Sequence, residues 1–353
     1  MTGYRCKKHE GFGDKIMAAG ADLREGKYKE GNFSEDEMWS FFAHAFSPKV
    51  KHAASYKFGF LKSILDNLYN TDENLVLTFD QLFSKFAEIY WNLVLKYHIR
   101  QAPVIAGNKR TKLEQDLWAA RALCPVADEI PFESIPADVK EFVCHRVKTD
   151  CKWNVVGALY GDLLESLYSF SIKGASIKFN PVMYEFLCKH KIAIEKINYY
   201  EWARYLEKIN SDDVMDHLLT KIDESAKRNN LDYYRNILFE EFENKCFYCG
   251  KPVTRQNVHV DHFIPWSFIK DDKLWNFVLA CSKCNISKSD RLAPKAQLNM
   301  LVKRNEQIII DRPNTTLMQN YRAQRLLKIY SWASENGYKD IWTPPHGKAS
   351  LNG

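Results

Sequence analysis

Apolar residues recur at helical spacing through most of the first 240 positions of this 353-residue chain. Over 55–70, Phe58, Leu61, Leu65 and Leu68 share one face. Over 78–97, Phe79, Leu82, Phe83, Phe86, Ile89, Tyr90 and Leu93 form a broad apolar stripe, read as core and not as a base-stacking platform. A helix over 34–46 opens with Ser34 as N-cap and Glu37 three residues later, a capping box. Helical spacing returns over 112–123, 137–147, 199–209 and 212–242, the last with Ser211 as its candidate N-cap. The last helix runs almost directly into Cys246.

The pattern changes in two places. Over 152–161 and 169–180, β-branched and aromatic residues surround glycines, which predicts a small hairpin that Asn180-Pro181 ends. Residues 101–110 and 125–137 read as loops. Beyond Cys246, residues 257–262 form a strand, Pro265 stops regular pairing, and a loop runs through Asp271, Asp272 and Lys273. A second short strand or turn follows over 275–280. Helical spacing resumes after Cys284, with Pro294 splitting it. A helix over 319–336 is expected to pack back on the core, and the tail from 343 to be disordered. The fold class expected is mainly α with a C-terminal α+β domain. The division expected is a helical recognition or regulatory domain over 1–240, a domain over 241–340 and a flexible tail over 341–353.

Composition is that of an ordinary globular protein. No apolar run is long enough to span a bilayer, and no secretory h-region stands at the N-terminus, so no membrane partner is expected. Four of the nine cysteines fall in two knuckles, and the others are scattered, which fits a reducing cytoplasm. Charge is uneven. Residues 245–353 carry 17 Lys+Arg against 8 Asp+Glu, whereas the remainder carries 33 against 36. The basic part is the one suited to a polyanion.

The candidate chemistry lies in the same part. Cys246/Cys249 and Cys281/Cys284 are two CxxC pairs whose thiolates can fill a tetrahedral zinc site with no position left open. Such an ion clamps a loop-rich segment and does not catalyse. Between and just after the knuckles stand Asp261-His262, Asn276 and Asn285. Strand, loop, strand and helix in that order bring the end of the first strand towards the start of the helix. On the quartet alone, a zinc ribbon that binds nucleic acid or a partner without cutting is an equal reading. His259 shares the strand face of Asp261 by alternation, as an aid to the site or as an exposed strand residue.

VDHFIPWSF, LWNFVLAC and KCNISKSDR together resemble the HNH nucleases, the ββα-metal type, in the variant pinned by a four-cysteine zinc. Asn285 stands at the last position in place of His, as in the HNH domain of RNA-guided DNA nucleases. The resemblance covers roughly 240–310. It implies a phosphodiester endonuclease with His262 as general base, a residue type that titrates near neutrality. It implies that Asp261 and Asn285 hold one Mg2+ or Mn2+ and that Asn276 orients the histidine loop. Lys288 and Arg291 would contact phosphates, or lie on a solvated helix face. Double-stranded DNA is the substrate expected, RNA the alternative. The arrangement also resembles restriction and antiphage-defence nucleases of bacteria, in which a homodimer or a companion subunit is a natural partner.

Overall fold

The computed structural model describes residues 20–104, 110–124, 130–211, 216–226, 231–313 and 315–344. The helical part is organised around α2 (Tyr56–Asp66), which is buried at every position from Lys57 to Asp66. A helix sealed on all sides must neutralise its charges internally. Lys57 pairs with Asp162, Lys62 lies 3.2 Å from Asp66, and the Lys62 ammonium donates to the Tyr199 hydroxyl at 2.6 Å. Gly59 lets the ring of Tyr90 close on the helix, since a Cβ there would overlap that ring.

Around α2 pack α3 (Phe79–Trp91), α5 (Ala137–Asp162) and α6 (Pro181–Glu207). Outside these lie α1 (Glu35–Ala45) and α4 (Lys112–Ala122). The capping box expected at Ser34 is present, and Thr78/Gln81 and Thr111/Glu114 repeat it on α3 and α4. The helix read over 78–97 is α-helical to Trp91 and closes as a π-turn over Asn92–Lys96.

Two expectations in the middle of the chain are corrected. Residues 152–161 belong to α5, whose Val143, Val147, Val155, Val156 and Leu159 face the core. Gly157 there is not strand punctuation; it admits the Gly20 carbonyl against the helix. The hairpin lies only at β3 (Tyr168–Ser171) and β4 (Ser176–Phe179). With β1 (Glu25–Gly26) and β2 (Val76–Thr78) it forms an antiparallel sheet in the order β1-β3-β4-β2. Asn180-Pro181 does end β4, and it also starts α6. The Asn180 side chain caps Val182 N–H at 3.1 Å, and Pro181 supplies a preset φ in the first turn. The helix expected over 199–209 is thus the end of one 27-residue element, kinked at His190. Asn336 bridges that kink, accepting from Ile192 N–H at 2.9 Å and donating to the Cys188 carbonyl at 2.9 Å.

Among the described residues, the helix expected over 212–242 is broken into α7 (Leu218–Asp223) and α8 (Asp232–Glu241). The cap expected at Ser211 falls beside residues 212–215, which lie outside the described residues, as do most of the tail and parts of both expected loops. Beyond α8 come β5 (Val258–His262), α9 (Trp266–Ile269), β6 (Phe277–Cys281), α10 (Ser282–Lys288) and α11 (Lys295–Asp311). Pro294 splits the helices as expected, as the N-cap of α11. Finally α12 (Ala323–Glu335) packs back against α6 and α11. The architecture is therefore mainly α, with a ββα unit in the C-terminal region.

Candidate active site

The antiparallel pair β5–β6 sets the geometry. Its register places Val258 opposite Cys281 at one end and His262 opposite Phe277 at the other. The knuckles and the Asp-His pair therefore occupy opposite ends of one short ladder. At the cysteine end, four sulfurs from Cys246, Cys249, Cys281 and Cys284 lie within 4.8 Å of one another, and Cys249 and Cys281 are 3.8 Å apart. A tetrahedral zinc with bonds of about 2.3 Å has sulfur-sulfur edges of about 3.8 Å, so the donor set fits that ion. Burial pushes the Cys246 and Cys284 thiols up, a cost that metal binding removes by holding them as thiolates. Cys281 is the N-cap of α10 and Cys284 lies in it, so the quartet ties α10 to β6 and to the 246–249 turn.

At the other end, Asn276 grips the chain just past His262. Its amide accepts from Ile264 N–H at 2.8 Å and donates to the Ile264 carbonyl at 2.9 Å, while Phe263 N–H donates to the Asn276 carbonyl at 2.8 Å. Asn276 is fully buried. Pro265 then turns the chain into α9. This grip holds Asp261 and His262 at the end of β5.

Asp261 and His262 point their polar atoms to different partners. Asp261 Oδ2 accepts from the Tyr248 hydroxyl at 2.5 Å and lies 3.0 Å from the Lys288 ammonium, which leaves Oδ1 for another partner. Burial, followed by the charge of Asp261, pushes the Tyr248 phenol well up, so it remains a donor. His262 Nε2 lies 2.8 Å from Asp272 Oδ1, and the Phe277 ring packs on the imidazole edge-to-face with ring centres 4.7 Å apart. Asn285 sits half-buried on α10, the helix packed on both strands.

Lys288, expected at phosphate, is fully buried in this structure. Its ammonium pairs with Asp261 and donates to the His262 carbonyl at 2.8 Å, so it braces the site from within. Arg291 is exposed and donates to the Ser287 and Lys288 carbonyls. His259 is exposed, with Nε2 2.9 Å from Ser282 Oγ.

Tyr248 and Asp272 were not among the residues picked out by spacing. Tyr248 hides inside the first knuckle, where the cysteines carry the pattern. Asp272 belongs to an acidic pair in a loop, and a loop has no periodicity from which a side chain's aim can be read.

The strand-strand-helix unit with its quartet and Asp-His pair defines a ββα-metal arrangement. Residues 246–294 match the family of HNH endonucleases, so an HNH endonuclease domain lies in the C-terminal region of this chain. No curated protein and no solved structure matches the chain. Among the described residues, no helix is long and apolar enough to cross a membrane.

Proposed function

We propose that the chain is a metal-dependent endonuclease that hydrolyses DNA phosphodiester bonds at the site built on Asp261, His262 and Asn285. The observation that carries this reading is the placement of Asp261 and His262 at the gripped end of β5, against a helix bearing Asn285. A zinc ribbon that only binds has no need of a braced carboxylate beside an imidazole.

In this reading His262 accepts the proton of the attacking water, a role worth about 10²–10⁴-fold in such reactions. The donor set at Asp261 and Asn285 is all oxygen, a carboxylate and an amide carbonyl, which suits Mg2+ or Mn2+. When bound, that ion supplies charge stabilisation for the phosphate and the departing 3′ oxygen. Asn276 keeps the histidine loop in place and need not touch substrate. Exposed basic residues nearby, Lys283, Arg291 and Lys295, would meet the backbone of the nucleic acid.

The quartet would hold a structural zinc. One site cuts one strand, so a double-strand break takes two protomers or two events. A helical region preceding an HNH segment supports a role in restriction or antiphage defence, with the helical region as a unit for recognition or regulation.

The test is incubation of supercoiled plasmid and of a structured RNA with the zinc-loaded chain, in Mg2+, Mn2+ or EDTA. The reading predicts nicked and linear DNA with 5′-phosphate ends only where the divalent ion is present. Cleavage of RNA alone transfers the same chemistry to the other polymer. Tight binding with no cleavage of either contradicts it.

A further inference from the structure

We propose that Asp272 is a positioning residue for His262, holding the imidazole with Nε2 protonated so that Nδ1 keeps the lone pair. The inference rests on the reading of His262 as the general base.

A neutral imidazole has one N–H and one lone pair, and only the lone pair accepts a proton. A carboxylate can only accept, so at 2.8 Å from Nε2 it selects the tautomer with hydrogen on that nitrogen. Both side chains are nearly sealed, at 6% exposure each, so water does not compete strongly for the bond. Three other contacts fix the residue: the edge-to-face packing of Phe277 on the ring, Lys288 on the His262 carbonyl, and the Asn276 grip just beyond. Asp272 is the one of these that chooses between the ring nitrogens. Its charge also faces the imidazolium that forms when the proton is taken.

The loop carrying Asp272 is held from the helical part of the chain. Lys270 ends α9 in a left-handed conformation (φ 58°), an unfavourable backbone for a lysine. Its ammonium donates to Asp223 Oδ1 of α7 at 2.9 Å. Burial pulls that ammonium down, but Glu195 of α6 and Asp223 outweigh it and hold the charge. Tyr234 of α8 donates from its hydroxyl to the Asp272 carbonyl at 3.1 Å. Burial, with Asp271 and Asp272 adding, pushes the Tyr234 phenol up to about 12, so it remains a donor. Helices before the first knuckle thereby set the height and angle of the carboxylate that orients His262.

The experiment compares the full, zinc-loaded chain as wild type, Asp272→Asn, Asp272→Glu and His262→Ala. Plasmid cleavage gives kcat and KM, and nitrogen NMR of histidine-labelled protein reads the protonated ring nitrogen, with His262→Ala identifying the signal. The amide of Asp272→Asn can present its NH2 and favour the opposite tautomer. The proposal expects Asp272→Asn to lose about 10²-fold in kcat, with KM, zinc content and Tm unchanged. The His262 signal should shift away from protonated Nε2, and Asp272→Glu should recover part of both. Full activity in Asp272→Asn, an unchanged tautomer, or a loss that follows Tm or zinc content overturns it. Equal cleavage by wild type and His262→Ala would instead remove the role of His262 as base, while the NMR signal still reports whether Asp272 holds the ring.

Discussion

Lys288 places its ammonium 3.0 Å from Asp261 Oδ2 with no exposure to solvent. A buried charge left alone is far costlier than a buried pair is helpful, so the two residues depend on each other. Lys288→Met should therefore cost about 3 kcal/mol of stability in urea unfolding, because Asp261 is left unpaired. Adding Asp261→Asn should return much of that loss, since the two sites are in contact. A lysine serving phosphate from the surface would behave otherwise: its loss would spare stability and lower the salt dependence of DNA binding.

Asn276→Ala removes two buried hydrogen bonds and strands both backbone groups of Ile264. Each stranded group costs about 1–3 kcal/mol, so the variant should lose about 2–6 kcal/mol in denaturant titration. Cleavage should fall with it although Asn276 need not meet substrate. Unchanged stability would show that the grip on the histidine loop does not hold β5 in place.

The four-sulfur cluster should bind one zinc per chain, measured by elemental analysis. Cys281→Ser, or prolonged exposure to a strong chelator, should lower Tm and open the 246–294 segment to protease, because the ion contributes directly to folding. A chain that keeps its Tm after the metal is removed would contradict a clamp.

His52 gives the helical part a dependence on acid. Burial, with Lys57 and Lys208 adding, pushes its imidazole down to about 4, and its buried Nδ1 has no hydrogen-bond partner among the described residues. The unfolded chain titrates at an ordinary value near about 6.5 and so binds more protons between the two values. Stability is then full above about pH 6.5 and falls as pH drops towards about 4. His52→Phe, which can keep the stack on Phe58, should flatten the fall in Tm over that range relative to wild type. Parallel curves for the two proteins would count against it.

The HNH segment and its cysteine quartet were legible in the sequence because cysteine spacing, Asp-His adjacency and two asparagines are ordered signals along one strand-loop-strand-helix unit. The capping box at Ser34 was legible for the same reason, being local. The second half of α5 was not, because its glycine and β-branched residues resemble a strand until the close approach of Gly20 to Gly157 is known. Nor was the start of α6, where Asn180-Pro181 is equally a turn and a helix cap. Lys288 and Asp272 show the same limit within the site. Whether a lysine faces phosphate or a buried carboxylate depends on which face of α10 the quartet turns inwards, and no local pattern states that.

Asp261, His262 and Asn285 are proposed to form the hydrolytic centre. The most direct measurement is plasmid cleavage with Mg2+ by wild type, His262→Ala and Asn285→Ala, each confirmed to hold one zinc and to keep the wild-type Tm. Wild type alone should cut, EDTA should abolish the cutting, and both variants should be reduced by at least about 10²-fold. Cleavage by zinc-loaded His262→Ala at the wild-type rate would contradict it.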